Sequence, residues 1–222
     1  MDIILILILI IIPVSISTII YVNKKKYNNI ELKKDVTGFE IARTILDNND
    51  LINIYITESN NSITSHYDSS RKVIRLKNDI FNKKNIVSCA IASREAAHAI
   101  QDKRNNKVFV FRKKISSFLD ALLYIGYVII AFGTLFAHLQ TIYVGFGLVY
   151  FVLLFHLFTI NVEKEANSIT ITEIKKSKLL TNKEINQIKK ILEVLTFINL
   201  ASVVYPLVEL SKRIIQFGES NK

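Results

Sequence analysis

The run Ala92-Ser93-Arg94-Glu95-Ala96-Ala97-His98-Ala99-Ile100-Gln101 holds the most chemically pointed spacing in the chain. Residues three apart on a helix share a face, so Glu95 and His98 are placed to act together. With His in place of Arg94 the run would read H-E-x-x-H. In that motif two His at i and i+4 hold one zinc ion, and the Glu works as general base on the metal-bound water. Arg94 cannot take the first ligand's part, because a guanidinium stays protonated and offers no lone pair. A cation at that position also repels the metal. Taken by themselves, a Glu and a His at this spacing are most often a plain helix-surface pair.

The elements that must position this run are legible around it. Ile86 to Lys103 is Ala-rich and free of Gly and Pro, which reads as a helix. Upstream, Gly38 to Asn48 has Ile41, Ile45 and Leu46 at helical spacing and stops at Asn48-Asn49. Ile52 to Thr57 alternates in the manner of a strand, Asn60-Asn61 signals a turn, and Ser62 to Tyr67 and Lys72 to Leu76 read as two more strands. The order is helix, three strands, helix, within a segment of residues 23–117.

That segment is bounded by apolar blocks. Ile3 to Val22 is a 20-residue apolar run, long enough to cross about 30 Å of hydrocarbon. It has no positive charge before it and Lys24-Lys25-Lys26 after it, so residues 1–22 read as an uncleaved anchor. Phe118 to Ala137 and Ile142 to Ile160 form a hairpin, residues 118–160, with His138-Leu139-Gln140-Thr141 at its tip. Lys and Arg number 19 in residues 23–117 and seven in residues 162–193, with none in the tip. Positive charge marks the cytoplasmic side, which puts residues 23–117 and 161–193 there and the tip outside. Val194 to Leu210, within a C-terminal segment of residues 194–222, is a fourth candidate span. The fold class expected is therefore an α+β, multi-pass cell-membrane protein: a small cytoplasmic helix/three-strand/helix unit on three or four transmembrane helices.

Composition agrees with this reading. The chain has 222 residues, 50% of them hydrophobic, a net charge of +10, and only 6 Gly and 2 Pro. Such a balance excludes a disordered or linker protein. The lone Cys89 excludes intrachain disulfides and Cys-based zinc sites. Basic runs at 24–26, 112–114 and 175–178 favour anionic membrane lipids as partners, at about 1 kcal/mol per residue near the surface. No Gly-rich phosphate loop and no aromatic-basic interleaving point to nucleic acid. His156 falls in mid-membrane and His138 in the outer tip, while His66 stands on a strand beside Tyr67 and Asp68.

Several stretches, in order and over nearly the whole length, resemble the membrane-bound neutral zinc metallopeptidases of bacteria. Gly38 to Asp47 is similar to that family's first helix. Ser65-His66-Tyr67-Asp68 and Val73-Ile74-Arg75-Leu76 are similar to its Asp-His-Tyr-Asp-Pro and Val-Arg-Leu-Ser strands. Arg94 to Asp102 falls on His-Glu-Val-Gly-His-Ala-Ile-Gln-Asp, and Phe158 to Glu163 falls on Val-Thr-Leu-Pro-Val-Glu.

The resemblance implies a zincin-like unit, zinc as cofactor and peptide hydrolysis at the inner membrane face. It implies Glu95 as general base and His98 and Glu163 as metal ligands, 65 residues apart in sequence yet on the same side of the membrane. The departures are Arg94 for the first His, Ala97 for Gly, Asn161 for Pro and Ser65 for Asp. Two ligands remain where catalytic zinc takes three, with His66 or Asp68 the nearby candidates to replace the third. The expectation is a pseudopeptidase in which Arg94 bridges Glu95 and Glu163, its partner or substrate a peptide or membrane-protein segment. A working peptidase and a plain membrane scaffold are the alternatives.

Overall fold

The computed structural model describes residues 18, 27, 30–60 and 65–196. The expected anchor over residues 1–22 and the expected membrane helix over 194–210 lie outside the described residues, but for Thr18 and residues 194–196. The chain divides into two compact units. One combines the described residues of Tyr21–Val110 with Asn161–Thr196, and the other takes in Phe111–Ile160 together with Thr18.

In the first unit, helix α1 (Gly38–Asp47) starts at a capping box. The Thr37 hydroxyl accepts the Glu40 N–H at 3.1 Å, and the Glu40 carboxylate accepts the Thr37 N–H at 2.8 Å. Ile41, Ala42, Ile45 and Leu46 form its buried stripe. Strand β1 (Tyr55–Ser59) starts later than the expected Ile52. The Arg43 guanidinium donates to the carbonyls of Leu51 at 3.1 Å and Ile54 at 2.8 Å, and Asp50 is left-handed at φ 53°, so residues 50–54 turn before the strand begins. Strands β2 (His66–Asp68) and β3 (Val73–Lys77) complete the sheet. β3 is central, parallel to β1 and antiparallel to β2, with Tyr67 opposite Ile74. A short helix α2 (Asn78–Phe81) follows.

Helix α3 (Ile86–Lys103) has the bounds the sequence indicates. The Asn85 side chain caps it by accepting the Ser88 N–H at 2.8 Å. It is buried along almost its whole length, packed against α1, the sheet and helix α6 (Asn182–Leu195). A helix buried all round must find partners for every polar side chain it carries. α6 was not anticipated, although its Thr181/Glu184 capping box is written in the sequence. Its Ile185, Ile188, Ile191 and Leu192 form the buried stripe.

Helix α4 (Lys107–Leu135) starts well before the first expected apolar run and stops two residues short of its end, and helix α5 (Leu139–Ser177) contains the second run and extends past it at both ends. Glu163 accordingly lies inside α5 rather than beyond the end of a membrane helix. The turn between them falls at residues 136–138, earlier than the expected tip at 138–141. Ala137 is left-handed at φ 50°, and the His138 N–H reaches back to the Gly133 carbonyl at 2.8 Å, so α5 starts at once. Within Phe111–Ile160 the helices meet where Gly126 faces Gly145. Phe118, Tyr124, Phe132, Phe136, Tyr143 and Phe158 are exposed. Both helices are long and apolar enough to cross a membrane, and only 17% of each apolar window is buried. A core helix of a water-soluble protein would bury that surface.

Candidate functional site

The site lies in the first unit, where α3 supplies Arg94, Glu95 and His98 and α5 supplies Glu163. All four are buried, Glu163 with only 2% of its surface exposed. The Arg94 guanidinium donates through Nη2 to Glu163 Oε2. His98 Nε2 stands 3.6 Å from that same oxygen. Two ligands on one tetrahedral zinc, each about 2 Å from the ion, would sit about 3.3 Å apart. His98 and Glu163 are therefore brought to metal-bridging separation, but the shared oxygen is held by a guanidinium.

Glu95 is turned elsewhere. Its carboxylate accepts the backbone N–H of Tyr67 on β2 at 2.8 Å. The expected direct contact between Glu95 and Arg94 is not made, because adjacent helix residues diverge by about 100° around the axis. The Tyr67 hydroxyl donates to Asp102 Oδ2 at 2.9 Å, and Lys72 pairs with Asp102 at 2.6 Å. Burial, then the Asp102 carboxylate, pushes the Tyr67 phenol far above its ordinary range, so it stays a donor.

Neither replacement candidate adds a third donor. The Asp68 carboxylate is held by Arg75 at 3.0 Å and Arg71 at 3.1 Å, and it accepts the N–H groups of Ser70 and Arg71. Burial alone would raise its pKa, but these hydrogen bonds outweigh burial and lower it. His66 lies in β2, in register with Arg75. Among the described residues no group of three or more His, Cys, Asp or Glu is placed to hold a metal ion. Zinc does not fit the residues present: two donors face a fixed cation. Cys89 is no substitute, since burial, reinforced by Glu184 and Glu40, pushes its thiol up to about 12.

One residue was missed from the sequence. Gln101, fully buried, accepts at Oε1 opposite His98 Nδ1 at 3.0 Å. Its Nε2 donates to the Val162 carbonyl at 3.0 Å and to Glu165 at 2.9 Å. Phe109 stacks on the His98 ring with centroids 5.8 Å apart. The available signal was an amide three residues after His98, on the same helix face and amid Ala and Ile.

Residues 2–218 match the family described as "Putative neutral zinc metallopeptidase". The chain belongs to this family. It is also 30% identical over 201 residues to the "Putative membrane protease YugP" of Bacillus subtilis (strain 168), covering 88% of this chain and 87% of that protein. No solved structure matches it significantly. A membrane protease as relative, together with two long helices that expose their apolar faces, makes this family member a membrane-associated protein.

Proposed function

We propose that this chain is a non-hydrolytic member of the metallopeptidase family, in which the Arg94 guanidinium has taken the metal's place. The observation that carries the reading is the buried Arg94–Glu163 ion pair. A carboxylate buried this deeply needs a counterion, and removing one partner from such a pair leaves an uncompensated charge. The pairing also commits the oxygen that would ligate zinc. Glu95, a general base in the family's motif, here anchors β2 to α3 through the Tyr67 N–H.

In this reading the protein binds extended peptide segments or a membrane-protein partner without cutting them. Helices α4 and α5 span the membrane, residues 23–117 and 161–193 face the cytoplasm, and the turn near His138 faces outside, in line with the distribution of Lys and Arg. The basic runs face anionic lipid.

The test compares Arg94→His with Arg94→Ala in full-length protein. Arg94→His is expected to take up about one zinc per chain, because it restores the third donor beside His98 and Glu163. Arg94→Ala is expected to take up little. Arg94→His that takes up no more zinc than Arg94→Ala would overturn the reading, since the rest of the metal site would then be absent.

A further inference from the structure

The structure assigns to Gln101 the role of a positioning residue that fixes the His98 proton on Nδ1 and presents the Nε2 lone pair toward Glu163. The inference goes beyond the proposed function and does not depend on whether the natural chain hydrolyses anything.

The argument starts from the Gln101 amide. Its nitrogen and oxygen are told apart by what surrounds them. One end of the amide meets two acceptors, the Val162 carbonyl at 3.0 Å and the Glu165 carboxylate at 2.9 Å. Only the NH2 end can serve both, because the reversed amide would set an oxygen against two oxygens. The carbonyl oxygen is thereby forced toward His98 Nδ1 at 3.0 Å. An oxygen acceptor requires a hydrogen on its partner, so Nδ1 carries the proton. In the neutral ring Nε2 is then a bare lone pair. The 3.6 Å gap between Nε2 and Glu163 Oε2 agrees, since it is too long for a hydrogen bond.

Several features hold this arrangement in place. Gln101 is fully buried, Phe109 covers one face of the His98 ring, and the Asn106 side chain also donates to Glu165. The network ties α3 to α5 at the level of the site. A His that ligates metal through Nε2 is normally oriented by a hydrogen bond from its other ring N–H. This protein therefore keeps the support for a ligand whose metal position is filled by Arg94. Nothing about Arg94 alone requires it, because His98 could equally have donated from Nε2 to Glu163.

The full-length protein, labelled with 15N at its 4 histidines, tests this in detergent. Two-bond nitrogen–proton correlation reports which ring nitrogen carries the proton, and a His98→Asn variant identifies the signal. The natural chain is expected to show His98 with hydrogen on Nδ1 only. Gln101→Met keeps the volume without the acceptor and should move most of the signal to the Nε2–H form. Hydrogen on Nε2 in the natural chain, or an unchanged tautomer in Gln101→Met, would overturn the assignment. A second readout is cobalt(II) titration of Arg94→His with and without Gln101→Met. Loss of the support should weaken binding about 10–100-fold, and equal affinities would count against it. Failure of Arg94→His to bind cobalt at all would count against the proposed function, leaving the tautomer measurement to decide the role of Gln101.

Discussion

The two compact units use apolar residues in opposite ways. In the unit built around α3, Ile41, Ile45, Ile74, Leu76, Ile86 and Ile188 are wholly buried. Several polar groups taken into that core are paired there, Arg94 with Glu163, Gln101 with Val162 and Glu165, and Glu184 with the Lys33 N–H at 2.8 Å, while Ser93 Oγ and Arg94 Nε are buried with no hydrogen bond. In the pair of helices over Phe111–Ile160 many large aromatic side chains face outward, and the contact is a narrow seam in which Leu119, Ile130, Val149 and Val152 are buried beside the close approach of Gly126 and Gly145. A chain in water hides apolar surface and must satisfy every polar group it hides. A helix pair in lipid gains nothing by hiding apolar surface and associates through close backbone approach. With α4 and α5 in the membrane as proposed, a single hydrophobicity scale reports packing in one unit and solvent in the other.

The comparison breaks first at the buried ion pair. Removing one partner leaves the other charged and unpaired, so Arg94→Ala is expected to destabilise the α3 unit by about 3–5 kcal/mol. Denaturant unfolding followed by hydrogen exchange should place that loss in α3 and the amides around Glu163, with the Gly126–Gly145 contact unchanged. Equal loosening of both units would mean they do not respond separately.

The converse perturbation is smaller. A Cβ at Gly145 would meet the Gly126 carbonyl at 2.9 Å and the Ile130 side chain. Overpacking of this kind typically costs about 1–3 kcal/mol. Gly145→Leu should therefore speed hydrogen exchange around Gly126 and Ile130, while leaving hydrogen exchange in α3 as it was.

A cap is weaker again. Thr181→Ala removes the hydroxyl of the α6 capping box and should lower stability by about 1 kcal/mol. Acid sharpens the same point. Burial would raise the Glu184 pKa, but the N–H of Lys33 and the hydroxyl and N–H of Thr181 outweigh it and hold the carboxyl below its ordinary 4.5. A carboxyl whose folded pKa lies below its unfolded one contributes stability that is fully present above pH 4.5 and lost as pH falls through the folded value. Glu184→Gln should flatten the stability–pH curve below pH 4.5 and change its slope little above; an unchanged acid limb would show that other groups govern it.

Much of this was readable from the sequence wherever the cause is local. The bounds of α3 follow from an Ala-rich stretch between Asn85 and the Arg104-Asn105-Asn106 turn, and α1 follows from its apolar spacing after Thr37. The late start of β1 was not readable, because it depends on Arg43 reaching across to two carbonyls. Gln101 was hidden for the same reason: two of its three partners come from α5, some sixty residues onward. The Arg94–Glu163 pairing could be anticipated from the resemblance of both segments to one family's motifs, whereas the Glu95–Tyr67 bond joins a helix to a strand whose register the sequence does not reveal.

The most direct measurement is the metal content of the natural full-length protein, purified in detergent after growth with ample zinc and assayed in parallel for peptide hydrolysis. Arg94 opposite Glu163 leads to an expectation of zinc far below one per chain and no hydrolysis above background. Zinc near one per chain, with hydrolysis abolished by Glu95→Gln, would contradict it and show that another side chain has taken over as the third ligand.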